Sequence, residues 1–170
     1  VLQACLIDGF SSVTLSSLTI NSQGIGTATS NAHGYNKVPT VVLISGADQE
    51  AANGEWEITA TSTNTVTLNM VDSGLTNTTV TGATITMKVA PLGWGKLFSD
   101  APNYVAVYRS KHPLSRRHFF RFDDADTTYT YVRGYEMMSS AQDVGTNPYP
   151  SYSAFAKGLG IVKAASQTGT

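Results

Sequence analysis

A single cysteine, Cys5, stands in a chain of 170 residues, so no internal disulfide can staple the fold. Beside Leu2, Leu6 and Ile7 it reads as a small buried apolar residue. Charge is scarce too. Eleven Lys and Arg against twelve Asp and Glu leave a formal net charge of −1, without the basic surplus of a dedicated nucleic-acid binder. No apolar run approaches the roughly 18–20 residues of a membrane-crossing helix, and no secretory leader is visible. The chain opens on Val1 rather than Met, and clipped ends are expected. Internal repeats and long low-complexity linkers are also missing.

The constellations of catalysis are equally thin. The three histidines, His33, His112 and His118, have neither the i, i+4 spacing nor the cysteine partners of a zinc site. His33, in Ala32-His-Gly-Tyr35, is expected to brace a turn through backbone hydrogen bonds, with ligand or acid–base duty as the alternative. Asp123, Asp124 and Asp126 form the one tight acidic cluster. It lacks the glycine and the distant glutamate of a calcium loop, and reads as a solvated hairpin turn, with a weak cation site as the rival. No serine sits in a nucleophile elbow, and Gly24-Ile-Gly26 has no helix behind it to cradle a phosphate. The expectation is a protein that is not an enzyme and uses no cofactor and no metal.

What the chain does have is strand pattern. Alternating or β-branched runs cover 13–20, 25–30, 38–45, 55–60, 65–70 and 83–89, separated by Asn-, Gly-, Asp- and Ser-containing breaks. Sixteen threonines between residues 12 and 90 suit a pleated surface with one wet face. Strand-like runs continue at 104–110, 118–123 and 127–136. A helical turn is expected over 139–145, and strand or loop over 153–165. The fold class is all-β. Composition shifts sharply at residues 11 and 90. Residues 12–89 hold five acids and two bases, whereas residues 91–170 hold nine bases and six acids. Leu6-Ile-Asp-Gly-Phe10 and Pro91-Leu-Gly-Trp94 therefore read as two halves of one host segment. The domains expected are a discontinuous β-sandwich or barrel (1–10 with 91–170) that anchors the protein, and an inserted immunoglobulin-like or small-barrel module (11–90). Trp56, Trp94 and the β-branched strand faces are the expected core.

After residue 94, cations and aromatics interleave. Tyr129, Tyr131, Arg133 and Tyr135 fall on one strand face, with Arg109 and Arg121 nearby. Such a face suits contact within the protein or between subunits, where Tyr and Arg are enriched. Stacking on a nucleic acid or glycan is the alternative.

Residues 1–10 and 91–150 resemble a family of tailed-bacteriophage virion proteins. The resemblance rests on Cys5-Leu-Ile-Asp-Gly-Phe10, Leu92-Gly-Trp94, Ala106-Val-Tyr-Arg-Ser110, Arg121-Phe-Asp-Asp124, Arg133-Gly-Tyr-Glu-Met-Met138 and Gly145-Thr-Asn-Pro-Tyr-Pro150. The stretch between them resembles a small β module of phage structural proteins through His33-Gly-Tyr35, Val42-Leu-Ile-Ser-Gly-Ala47 and Asn53-Gly-Glu-Trp56. Where that module has a Gly-Asp pair, this chain has Lys37-Val-Pro39. The resemblance implies a non-enzymatic virion component, assembled in the bacterial cytoplasm, whose partners are other virion proteins and copies of itself. It supplies no catalytic residues. The role expected is an accessory or decoration-type subunit that assembles through Arg109, Arg121, Tyr129, Tyr131, Arg133 and Tyr135. Trp94, His33, Asn53 and Gly54 are expected to be structural. The alternative is a neck or tail-tip component with glycan-binding adhesion, for which Trp56 is the candidate surface aromatic. A wall-degrading enzyme is the third reading.

Overall fold

The computed structural model describes residues 2–163. It is all-β, with thirteen strands among the described residues arranged in two antiparallel sheets. Contacts divide the chain into two compact units, Val1–Leu92 and Gly93–Thr170.

The first unit carries β1 (Phe10–Thr14), β2 (Ser17–Ile20), β3 (Ile25–Thr29), β4 (Thr40–Ser45), β5 (Gly54–Thr61), β6 (Thr65–Asn69), β7 (Thr78–Thr79) and β8 (Thr86–Val89). Their order in the sheet is β1-β8-β4-β5-β6-β3-β2-β7. The expected period-2 pattern is what sorts the side chains. Leu18 and Ile20 in β2, Val42 and Ile44 in β4, and Val66 and Leu68 in β6 point into the core, while Thr19 and Thr27 face water. Side chains set the turns. Asn21 Oδ1 accepts from the backbone N–H of Gln23 (2.9 Å) and Ile25 (3.0 Å) between β2 and β3, and Ser62 Oγ accepts from Thr65 N–H (3.1 Å) between β5 and β6.

β1 and β2 follow one another across a two-residue bend, yet β1 lies at one end of this sheet and β2 next to the other. At the bend, Leu15 N–H donates to Ile85 O (2.9 Å), beside β8, and Ser16 N–H donates to Thr29 O (2.8 Å), in β3. The sheet therefore curls back on itself around one core. Leu18, Val42, Ile44, Ile58, Val66, Leu68, Met70 and Met87 are fully buried there. Each such side chain contributes about 1.5–3 kcal/mol of burial.

The unit boundary differs from the one expected. Residues 2–10 lie with 11–92, held to β8 and the residues after it by strand pairing, one side-chain bond and one backbone bond. Phe10 pairs with Val89, Lys88 Nζ donates to Asp8 O (2.6 Å), and Leu92 N–H donates to Cys5 O (3.0 Å). Ala4–Asp8 forms a single π-type helical turn that buries Leu6.

The second unit is a sheet in the order β13-β12-β11-β10-β9, with β9 (Trp94–Asp100), β10 (Val105–Ser110), β11 (Phe119–Asp123), β12 (Tyr129–Tyr135) and β13 (Leu159–Val162). Strand β9 is absent from the sequence expectation, since Trp94-Gly-Lys-Leu-Phe-Ser-Asp100 has no clean alternation. No helical turn forms over 139–145. Asp143 instead closes a local turn, with Oδ2 accepting from Ser139 N–H (2.7 Å) and Oγ–H (2.8 Å) and Oδ1 accepting from Gly145 N–H (3.2 Å). The 153–165 stretch yields β13; residues 164 and 165 lie outside the described residues.

Between β12 and β13 the chain makes a long excursion, pinned near its root. Gly134 and Tyr149 exchange N–H···O bonds of 2.9 and 3.0 Å. A Cβ on residue 134 would lie 2.1 Å from Tyr149 Cζ, so only glycine fits there. The buried apolar cluster of this unit is small: Val107, Tyr135 and Met138, with Phe98 and Phe119 packed against it.

Candidate functional site

The excursion folds over one face of β11 and β12. In register on that face, Arg121 stands opposite Arg133, Asp123 opposite Tyr131 and Phe119 opposite Tyr135. Gln142, Asp143, Val144, Tyr152, Ala156 and Lys157 come from the excursion. Strand face and excursion together line a half-open cavity of about 510 Å³.

Two guanidinium groups dominate it. Arg121 donates from Nε to Ala141 O (3.1 Å) and pairs through Nη1 with Asp123 Oδ2 (3.2 Å). Arg133 is only 3% exposed. Its guanidinium carbon lies 3.8 Å from the Tyr152 ring centroid, and Nη2 donates to Phe155 O. Its Nη1 is buried with no hydrogen-bond partner. The Tyr135 and Tyr152 hydroxyls meet at 2.8 Å. Burial first, and that hydroxyl contact second, push the Tyr135 phenol up to about 12. Lys157 Nζ sits 5.3 Å from the Tyr131 ring centroid.

The acidic cluster is the hairpin turn that was expected. Asp126 Oδ1 accepts from the backbone N–H of Thr128 (2.8 Å) and Tyr129 (3.1 Å), and Asp123 Oδ1 accepts from Ala125 N–H (3.2 Å). Asp124 accepts from Thr130 Oγ1–H (2.5 Å) and pairs with Lys163 (3.0 Å). The backbone bonds from Thr128 and Tyr129 hold Asp126 below the usual carboxylate range, and the Thr130 hydroxyl does the same for Asp124. Among the described residues, no three His, Cys, Asp or Glu side chains are grouped to hold a metal ion.

Of the six residues expected at an assembly interface, the structure gathers Arg121, Tyr131, Arg133 and Tyr135 around the cavity. They do not form an open docking face, because the chain's own residues 136–157 cover Arg133 and Tyr135. Tyr129 stays exposed beside Tyr131, and the Arg109 guanidinium lies 4.9 Å over the Phe119 ring, outside the cavity. Gln142, Tyr152 and Lys157 were not foreseen. They lie in a stretch with no periodicity, and the only signal was Pro148 and Pro150, which mark a turn-back.

The remaining marked residues brace the scaffold. His33 is buried, with Nδ1 accepting from Tyr35 N–H (3.1 Å) and Nε2 facing Thr65 O (3.3 Å). That pattern assigns the neutral Nε2–H tautomer. Asn53 clamps Ala47 from both sides, its Oδ1 accepting from Ala47 N–H (3.0 Å) and its Nδ2 donating to Ala47 O (2.9 Å). Gly54 follows it at φ +138°, in the region that favours glycine. Trp56 packs on the core and donates its indole N–H to Ala52 O (2.9 Å), so it is part of the core wall and not a free-standing platform. Trp94 leans on Phe120 with ring centroids 5.4 Å apart. His112 Nδ1 accepts from Leu114 N–H, and His118 rests against Tyr149. Compared with protein-family models, with curated proteins and with solved structures, the chain has no match, and its function rests on its own residues and geometry.

Proposed function

We propose that this chain is a non-enzymatic structural subunit of a tailed-bacteriophage virion, of the accessory or decoration type, assembled in the bacterial cytoplasm. In this reading Gly93–Thr170 holds the particle and Val1–Leu92 projects from it. One observation carries it: the two units place their apolar side chains differently. Among the described residues, twelve large hydrophobics are exposed in the second unit and six in the first. The densest group is strand β13, at the edge of its sheet, where Leu159, Ile161 and Val162 are each more than half exposed. Edge strands of free-standing domains are usually blunted by charge, proline or a covering segment. A neighbouring subunit that adds a strand along β13 would bury this row.

The test is co-sedimentation of the purified protein with particles of its phage that lack it. Saturable binding at a stoichiometry set by the particle's symmetry is expected, with loss in Ile161→Asp at unchanged circular dichroism. Failure of the wild-type protein to bind any part of the particle would overturn the reading. A second reading, a neck or tail-tip component that grips a glycan, is favoured by the tyrosine-lined cavity. Trp56 takes no part in it.

A further inference from the structure

We infer that the cavity of the second unit binds one carboxylate carried on a sugar ring, that is, a hexuronic acid unit of an acidic polysaccharide. The inference deepens the glycan reading above, but it concerns binding alone and holds whether or not the chain assembles on a particle.

The first argument is an unmet charge. Arg133 is almost wholly buried, and its Nη1 has no partner. A buried charged donor left unpaired is costly, and a charge-assisted bond to an oxygen anion removes that cost. The nearby carboxylates do not supply the oxygen. Asp123 is engaged by Arg121 and the Ala125 N–H, Asp143 by Ser139 and the Gly145 N–H, and Asp126 by the N–H groups of Thr128 and Tyr129.

The second argument is the chemistry of the walls. Arg121 and Lys157 add positive charge, yet Asp123, Asp126 and Asp143 line the same cavity. With Arg133 the lining is formally neutral, so it supplies no surplus of positive charge to hold a phosphate dianion. Nη2 of Arg133 is already held by Phe155 O, so Nη1 offers a carboxylate oxygen one charge-assisted bond. Tyr131, Tyr135 and Tyr152 offer aromatic surface for the C–H face of a sugar, while Gln142 and the carboxylates can meet ring hydroxyls. A volume of about 510 Å³ accommodates one or two sugar units. A neutral sugar could offer Nη1 a hydroxyl oxygen but not the opposite charge that strengthens the bond.

The cover over Arg133 is Tyr152, in residues 151–157, all of them exposed. Local turn bonds hold that stretch: Ala154 and Phe155 N–H to Ser151 O, and Gly158 N–H to Phe155 O. The ligand reaches Nη1 by displacing the Tyr152 ring from the guanidinium face.

Calorimetric titration of the full chain with digalacturonate tests this, with a neutral digalactoside, inorganic phosphate and an acidic peptide as the other arms. Saturable binding of digalacturonate is expected, with the other three at least tenfold weaker. Arg133→Gln is expected to weaken binding at least tenfold, and Tyr152→Ala several-fold. Because Arg133→Gln risks the fold, the wild-type arginine side-chain ¹⁵N signals supply a second readout, with Arg133 shifting on titration. Absence of saturable binding overturns the inference. So does equal binding of the neutral sugar, phosphate or peptide, or an Arg133 signal unmoved at saturation.

Discussion

Val1–Leu92 and Gly93–Thr170 are made of the same material, short antiparallel strands, yet different forces hold them. The first unit surrounds a continuous aliphatic core in which eight large side chains are fully buried. Among the described residues of the second, Val107, Tyr135 and Met138 form the buried apolar cluster, and the unit completes itself with stacked rings, two arginines over aromatic faces and aspartates that bond backbone N–H groups. A close-packed aliphatic core rewards shape and tolerates no loss of volume. Polar and cation–aromatic contacts are individually weaker, but they leave chemistry at the surface. Among the described residues, the Arg133 cavity and its unpaired donor lie in the unit with the poorer core.

The strongest way to break this contrast is to empty the cores. Leu68→Ala in the first unit is expected to cost about 2–5 kcal/mol in denaturant unfolding. Met138→Ala in the second unit is expected near the low end of that range, since its smaller cluster can collapse. Equal losses would mean that the second unit is as tightly packed as the first.

Alkali probes the first core differently. Burial raises the Tyr35 phenol from 10.0 to about 12, and Ser11 O and Met87 O lie 2.5 and 3.0 Å from its hydroxyl. Above pH 10 the unfolded chain ionises this group while the fold keeps it protonated. Stability is therefore complete below 10 and is lost as pH rises toward 12, by about 2–3 kcal/mol in all. Tyr35→Phe is expected to flatten that part of the pH profile.

Asn53→Ala removes both bonds to Ala47 and is expected to cost about 1–3 kcal/mol, read as a shift in the urea midpoint. The smallest effect belongs to the hairpin of the second unit. Asp126 is held below 3.8 by the Thr128 and Tyr129 N–H groups, so its contribution is present above that value and fades as pH falls through its lowered value. Asp126→Asn is expected to reduce the acid sensitivity of the second unit only, followed by the amide signals of Thr128 and Tyr129.

Legibility in the sequence followed the same division. In the first unit, burial on one face imposes period 2, so Leu18, Val42 and Leu68 announce their strands; β7, two residues long, carries too little pattern to be seen. Tyr131, Arg133 and Tyr135 share a face as the alternation required. What covers them was hidden. Residues 136–157 are placed by side-chain-to-backbone bonds and by the Gly134–Tyr149 approach, which leave no periodic trace. Hence Arg133 and Tyr135, expected at an interface, lie buried beneath the chain's own excursion. The compact units divide at a different place from the expected domains for a related reason: the Phe10–Val89 pairing joins residues far apart in sequence, and composition does not encode it.

The meeting of Cys5 O with Leu92 N–H has a mechanical meaning. Both ends of the first unit leave from one point, beside the antiparallel pair β1 and β8. Tension applied between those ends would open the β1–β8 ladder one rung at a time, as a zipper does, instead of loading its hydrogen bonds together in shear. Along the line joining its two ends the unit is therefore mechanically soft, whatever the depth of its core.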